Sequence, residues 1–538
     1  MSLLKVIIRS LVYYRRSNTA VVLGAAVGVA VITGSLLVGD SATGSLRDLA
    51  LRRLGRADFA LTSGAFFREQ LAADMDADEA FRRRFGLCVP AIVLDATATA
   101  PESGVAIPRA AVLGVDDRFW RLGRGGVRAA LNGREVAVNR TLARDLGVSL
   151  GDAIIVKVRR ATAAAAESLF GRRSPDQTLR SIRLSVRQII GDEGLGGFSL
   201  RSDRPQPRNV YVRMAWLQEQ IGAPAQVNAL LVAGSRDGAR AAGDGELDEA
   251  LARHTALEDY ELRLVHAADR GYWSLESRQA VLGPHVARAA RAAAADLNMA
   301  ATLTSVYLAN RIALARGDDG TGGIPYSTVA AVDLAAPEPF GRLGSAGPEP
   351  LPAALKADEV LLNAWAATDL GAQMGDAIRM DYYRVRADGT LDDSGRRTFT
   401  LRGIAAMEGA GADRGLVPEF EGLTDVEDMD DWNPPFPVHL ERIRDQDEQY
   451  WERYRATPKA FMSYDAARDL WRPERVPAGD LPWVTSVRLA PRDGVFLDAA
   501  AEAFEASLLE HLLPRDAGLA FRPVKAAVSY THLTLPTN

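Results

Sequence analysis

Between Ser17 and Gly39 the chain carries no charged side chain; the run reads SNTAVVLGAAVGVAVITGSLLVG. At about 1.5 Å per residue, a helix of that length crosses a hydrocarbon layer of about 30 Å. Lys5, Arg9, Arg15 and Arg16 precede the run, Asp40 follows it, and the next basic residue is Arg47. Basic residues stay on the cytoplasmic side of a span, so the N-terminus is expected in the cytoplasm and the remainder outside. The expected span runs from Thr19 to Val38 and includes Val22, Gly24, Gly28, Val31 and Leu36. Gly24 and Gly28 form a small-xxx-small pair that lets another helix approach closely. Two other readings fit less well. A cleaved signal peptide has an apolar core of about 7–15 residues and a small-residue cleavage site, and no Ala-X-Ala follows this run. A buried soluble helix is disfavoured by the Val and Gly content, which suits lipid better than water.

The leader, residues 1–16, has its own pattern. Leu3, Leu4, Ile7, Ile8 and Leu11 recur at helical spacing, with Lys5, Arg9 and Arg16 largely off that stripe. This predicts a short amphipathic helix on the cytoplasmic membrane surface.

The rest of the 538-residue chain reads as mixed α and β, and it is duplicated. Glu135–Ile154 reads EVAVNRTLARDLGVSLGDAI and Glu359–Ile378 reads EVLLNAWAATDLGAQMGDAI, identical at 11 of 20 positions with an offset of 224. Ile107-Pro108 and Val112…Val115-Asp116 recur as Ile324-Pro325 and Val329…Val332-Asp333; Arg121-Leu122-Gly123 recurs as Arg342-Leu343-Gly344. Three blocks in one order with slowly drifting offsets indicate an internal repeat. In the longest block Asn139 and Asn363 are placed to N-cap a helix, Gly147 and Gly371 to end it in the left-handed conformation, and Gly151-Asp152 and Gly375-Asp376 to turn into a strand. Asp152 and Asp376 are therefore read as turn formers rather than catalytic carboxylates.

These features divide the chain as follows: leader 1–16, span 17–39, outer copy one 40–235, linker and helix 236–298, outer copy two 299–492. Within copy two, residues 408–457 form a polar insertion with acids Asp425, Glu427, Asp428, Asp430 and Asp431 and aromatics Trp432, Phe436, Tyr450, Trp451 and Tyr454. The acids lack the ligand spacing of an EF-hand loop, so a solvated acidic loop is expected. Residues 160–180 read as an exposed loop or helix. A helix over 497–513, within segment 493–527, is expected to return towards the membrane. The final VSYTHLTLPTN, residues 528–538, resembles a translated sequencing adaptor and is set aside.

Catalytic signatures are missing from the sequence. No G-x-x-x-x-G-K-[ST] occurs, and the G-x-S-x-G match at 147–151 lies between a helix and a strand, the reverse of a nucleophile elbow. The six histidines make no spaced metal pair, and the single Cys88 excludes both an internal disulfide and a cysteine zinc cluster. A net charge of −5 implies no broad surface for nucleic acid.

YYRRSNTAVVLGAAVGVAVITGSLLVGDS followed by SLRDLALRRLG resembles the first helix, with its outer extension, of FtsX-like ABC transporter permeases. The EV-x-x-N…LG…GD phrase is similar to one in MacB-like periplasmic core domains. The resemblance implies an α+β fold: one N-terminal transmembrane helix, then a large extracytoplasmic mixed α/β region containing the duplication. It implies residence in a bacterial inner membrane as the permease subunit of an ABC transporter of the FtsX/MacB/Lol-like group. The partners would be a separate cytoplasmic ABC ATPase, the membrane and a second permease copy, without nucleic acid. ATP would bind the partner, with no cofactor and no catalysis in this chain, and the work would fall on a lipoprotein, lipid or peptide. Such permeases carry further spans, so the natural chain is expected to continue past residue 527. The alternative is a single-pass anchored binding or sensory protein.

Overall fold

The structure is a computed structural model. It describes residues 3–123, 128–159, 179–201, 206–234, 244–316, 322–386, 391–420, 422–432, 437–471, 484–492 and 498–525. The loop expected at 160–180 falls almost wholly outside these residues, as do Phe436 and the tail 528–538.

Helix α1 (Leu3–Tyr13) is followed by one unbroken helix of 40 residues, α2 (Arg15–Leu54). Its Arg15–Ser41 portion is long and apolar enough to cross a membrane, and none of that apolar window is buried against protein. The last turns of α2 reach the outer region, where two lobes follow, each built on a nine-stranded sheet.

Lobe 1 contains β1 (Ala57–Arg68), α3 (Gln70–Ala77), α4 (Glu79–Arg84), β2 (Phe85–Thr99), β3 (Ala106–Val115), β4 (Glu135–Asn139), α5 (Arg140–Leu146), β5 (Ala153–Arg159), β6 (Leu179–Ile190), β7 (Asn209–Arg213), α6 (Met214–Ile221), β8 (Gln226–Gly234) and α7 (Asp244–His254). A last strand, β18 (Phe521–Pro523), joins this sheet from the far end of the chain. The strand order is β18-β1-β8-β2-β3-β7-β4-β6-β5, and a β2–β5 pairing closes the last six strands into a barrel.

Lobe 2 repeats the plan. It holds β9 (Leu262–Ala267), β10 (Tyr272–Ser277), α8 (Pro284–Asp296), β11 (Met299–Leu314), β12 (Ile324–Ala331), β13 (Glu359–Asn363), α9 (Ala364–Leu370), β14 (Ala377–Val385), β15 (Leu391–Ala405), α10 (Asp445–Tyr454), β16 (Ala460–Met462), α11 (Tyr464–Trp471), β17 (Ser486–Pro491) and α12 (Asp498–His511). Read from its open edge the order is β9-β10-β17-β11-β14-β15-β13-β16-β12, and β12 pairs back on β11 to close the second barrel.

In each lobe one long strand serves both the open sheet and the barrel, and a buried polar side chain stands at the corner. β2 pairs with β8 as far as Ala91 and with β3 from Ile92. There the Val93 N–H donates to Asn228 Oδ1 (2.8 Å), and Asn228 Nδ2 donates to the Val93 carbonyl (3.0 Å). In lobe 2 the Val306 N–H donates to Thr485 Oγ1 (3.1 Å), whose hydroxyl donates to the Thr304 carbonyl (3.2 Å). Backbone groups that lose their strand partner inside the protein need such substitutes.

The open sheets are completed by reciprocal exchange. Helix α7 follows β8 and α12 follows β17. Each leads into a 3-10 turn (Leu257–Tyr260, Pro514–Ala517), a left-handed residue (Glu261, φ 57°; Gly518, φ 75°) and a buried leucine (Leu262, Leu519). The strand that follows α7, β9, pairs with β10 of lobe 2, whereas the strand that follows α12, β18, pairs with β1 of lobe 1. Each lobe thus ends its sheet with the other's strand. The crossing is pinned by Arg68, whose guanidinium holds the buried Asp259 at 2.7 and 3.0 Å, while its backbone N–H donates to the same carboxylate (3.0 Å).

One expectation from sequence is corrected and another refined. Segment 236–298 is not only linker and helix: it supplies α7 to lobe 1 and β9 and β10 to lobe 2. The stripe of α12, the helix expected to return towards the membrane, meets protein: Phe504, Leu508 and Leu512 are buried with Val286, Ala287 and Ala290 of α8, and the chain then runs on through β18 to the end of α2. An amphipathic stripe looks the same whether it meets lipid or protein. The barrier to reading β18 from sequence was length: three residues carry no period.

Candidate functional site: the joint between the long helix and lobe 1

Along α2, Val22, Val31, Leu36 and Val38 are exposed, and Thr19 Oγ1 donates to the Arg15 carbonyl (2.7 Å). A Cβ built on Gly24 or Gly28 would meet nothing within 4 Å, so no described residue packs on that face.

The outer end of α2 is set into lobe 1. Ala50 and Leu54 enter the apolar cluster on the outer sheet face, with Val89, Leu113, Phe119, Trp120, Leu122, Phe198 and Leu231. Gly55 ends the helix at φ 59°, a conformation that disfavours side chains, and a Cβ there would overlap the Leu122 carbonyl. The Arg56 N–H donates to that same carbonyl (2.8 Å). Burial lowers the Arg53 guanidinium pKa, opposed by the Asp192 charge. Asp192 also accepts from the Thr141 N–H and hydroxyl, both at 3.0 Å, in the first turn of α5. Asp192 thus acts electrostatically on α2 while its carboxylate is hydrogen-bonded to the repeated motif.

The C-terminal strand arrives at the same joint. β18 pairs Phe521 with Leu61 and Pro523 with Phe59. Lys525 Nζ sits 2.6 Å from the Asp58 carboxylate, whose other oxygen accepts from the Gly234 N–H (2.8 Å). Val524 packs on the cluster that receives Leu54. The segment entering lobe 1 and the segment at 521–525 are thereby fastened side by side.

The remaining sequence-derived residues sit on the barrels. Asn139 Oδ1 accepts from the Leu142 N–H (3.2 Å) and the Asn209 N–H (3.0 Å), and its Nδ2 donates to the Pro207 carbonyl (2.8 Å). Asn363 Oδ1 accepts from the Ala366 N–H (2.7 Å), and its Nδ2 donates to Tyr450 Oη (2.9 Å). Gly147, Gly151, Gly371 and Gly375 have φ of 70°, 92°, 61° and 87°. Asp152 accepts from the Ser149 N–H (2.7 Å) and Asp376 from the Gln373 N–H (2.9 Å). These residues shape turns and caps. No group of three His, Cys, Asp or Glu among the described residues is placed to hold a metal.

One repeated block escaped the sequence reading. Glu193-Gly194-Leu195-Gly196 recurs as Glu408-Gly409-Ala410-Gly411, and both form a 3-10 turn with a left-handed first glycine. A Cβ on Gly196 would overlap the Gly191 carbonyl, and one on Gly411 the Ala406 carbonyl. In lobe 1 Leu195 of this turn packs in the cluster with Leu54. In lobe 2 Arg270, from the β9–β10 turn, donates to the Ala412 carbonyl (3.3 Å). The offset of 215, in line with the other blocks, was the available signal.

No family model matches the chain, and no curated protein matches it. The solved structures similar to it include two extracytoplasmic regions of transporters. The periplasmic region of MacB from Actinobacillus actinomycetemcomitans has 10% identity and a TM-score of 0.23, covering 38% of this chain and 84% of its own. The extracellular domain of the noncanonic ABC-type transporter YknZ from Gram-positive bacteria has 12% identity and a TM-score of 0.23, covering 37% of this chain and 91% of its own.

Proposed function

We propose that the chain is the permease subunit of an ABC transporter of the FtsX/MacB/Lol-like group, membrane-anchored by α2 with the two lobes outside the cytoplasm. A separate cytoplasmic ATPase would bind and hydrolyse ATP. This chain would carry the resulting helix movement outward to act on a lipoprotein, lipid or peptide, with no covalent chemistry of its own. The observation that supports this best is the joint: α2 continues without a break into the core of lobe 1, and β18 brings the chain back beside it through Lys525 and Asp58. A helix shifted in the membrane would press on a sheet rather than on a loose linker.

The test is co-expression of the full-length gene product with the ATPase encoded beside it. Co-purification is expected, with ATP hydrolysis that changes when Leu54→Arg loosens the joint. A stable permease chain that neither binds nor affects any P-loop ATPase would leave the single-pass binding protein standing instead.

A further inference from the structure

The barrels differ on one outward face. In lobe 1, Lys157 and Arg159 of β5 and Arg183 and Arg187 of β6 all point to solvent. Lys157 lies opposite Ser181, so Arg183 is its diagonal neighbour, and Arg187 follows about 13 Å further along the strand. Among the described residues, the ion pair made by this strip is that of Arg187 with Glu135 at 3.8 Å. The repeat puts Asp381 of lobe 2 where lobe 1 has Lys157, and Asp381 holds Arg311 (2.9 Å), Arg396 (3.0 Å) and Arg379 (3.3 Å). Register places Thr97, Ser181 and Ile155 where lobe 2 has Arg311, Arg396 and Arg379, so lobe 1 lacks that acid-centred cluster and carries cations at other positions of the same barrel face.

Lobe 2 carries the opposite surplus elsewhere. Asp428 and Asp430 of the insertion are exposed, and Asp445, Glu448 and Glu452 of α10 lie beside them. Burial and then these four acids raise the Glu448 carboxyl pKa. No ion pair among the described residues joins the strip to the acidic group.

We infer that the cationic strip of lobe 1 is the docking surface for the acidic insertion of a second copy of this chain. The same polypeptide carries both complementary surfaces, so two chains related by a twofold axis satisfy both contacts at once and close on themselves. The biological sense of the contact rests on the reading that two permease copies work together, but the contact itself is measured without an ATPase, so its failure leaves the transporter reading intact.

The test uses the full chain in lipid nanodiscs. A thiol placed by Ser181→Cys in one chain and Asp431→Cys in another should form an inter-chain disulfide, falling about tenfold between low and high salt as the charges are screened. K157E/R183E should abolish it, as should D428K/D430K. Combining the strip-reversed chain with the acid-reversed chain should restore it, which a misfolded variant cannot do. Cross-linking unaffected by either reversal, or not restored by the mixture, overturns the proposal. So does a strip reversal that removes only binding to phosphatidylglycerol vesicles, which would assign the strip to lipid headgroups.

Discussion

The two lobes share a chain path but not an outer sheet face. In lobe 1 that face is apolar: Ala60, Val89, Ala91, Ala229 and Leu231 are buried beneath Leu54, Phe119 and Phe198. Register places Ser274, Thr302, Thr304, Ser486 and Arg488 at the matching positions of lobe 2. The Arg488 guanidinium lies between the rings of Tyr272 and Phe340 at 5.6 and 5.5 Å, and its Nε donates to Thr304 Oγ1 (3.0 Å). Tyr272 donates to the buried Asp413 (2.8 Å), in the first part of the insertion. One face receives a membrane helix through dispersion and apolar burial, while its duplicate is capped by its own loops through a charged network. The fold tolerates both because the opposite face and the barrel interiors remain apolar in each lobe.

Exchanging residues between the faces gives the largest expected effect. Leu231→Arg would bury a guanidinium in lobe 1 without an acid, costing about 3–5 kcal/mol, read as a fall in thermal midpoint of the full chain. An unchanged midpoint would mean that the lobe 1 face opens easily. Next comes the joint: Gly55→Val forces a branched side chain into a left-handed site against a carbonyl, costing about 3 kcal/mol, with hydrogen exchange rising first in the last turn of α2.

The third prediction uses pH. Lys459 of lobe 2 stands where lobe 1 has Asn209; its ammonium is 3.2 Å from Asp447 and lies over the rings of Trp365 and Tyr450. Burial pushes it down to about 8 from 10.5, against the pull of Asp447. The folded state then binds this proton less readily than the unfolded one. The penalty is complete below pH 8 and is relieved as pH rises from about 8 to 10.5, by up to about 1.4 kcal/mol per unit. Lys459→Met should flatten that rise in denaturant titrations; an identical slope in the variant would remove Lys459 as its source. The smallest effect belongs to Arg488→Met. Asp413 keeps the Tyr272 hydroxyl and the Gly415 N–H (2.9 Å), so stability should stay within about 1 kcal/mol of the parent. A loss above about 3 kcal/mol would show that the network, and not the packing, holds the lobe 2 face.

What could be read from sequence was what obeys local rules. The span follows from an uncharged run, and the caps at Asn139 and Asn363 follow from side chains that satisfy backbone groups three residues away. The turn role of Asp152 and Asp376 is equally short-range. The joint was half legible: the helix to Leu54 showed, but not Gly55 on Leu122 or Asp58 on Lys525, which are set by folding across 67 and 467 residues. Barrel closure and the exchanged strands depend on pairings of that kind, for which periodicity holds no information. The charge reversal at Lys157 and Asp381 was visible in the aligned repeat but acquires meaning only when the register shows which neighbours each one faces.

The reciprocal strands make the outer region behave like a pair of clasped hands. Cutting the backbone between β8 and β10 severs the covalent link between the halves without freeing either one. With a cut before α7, the C-terminal fragment still has α7 and β18 seated in lobe 1; with a cut after β9, the N-terminal fragment still has β9 seated in lobe 2. A nicked protein would migrate as one species until denatured, and a pull applied through α2 would be borne by both halves together.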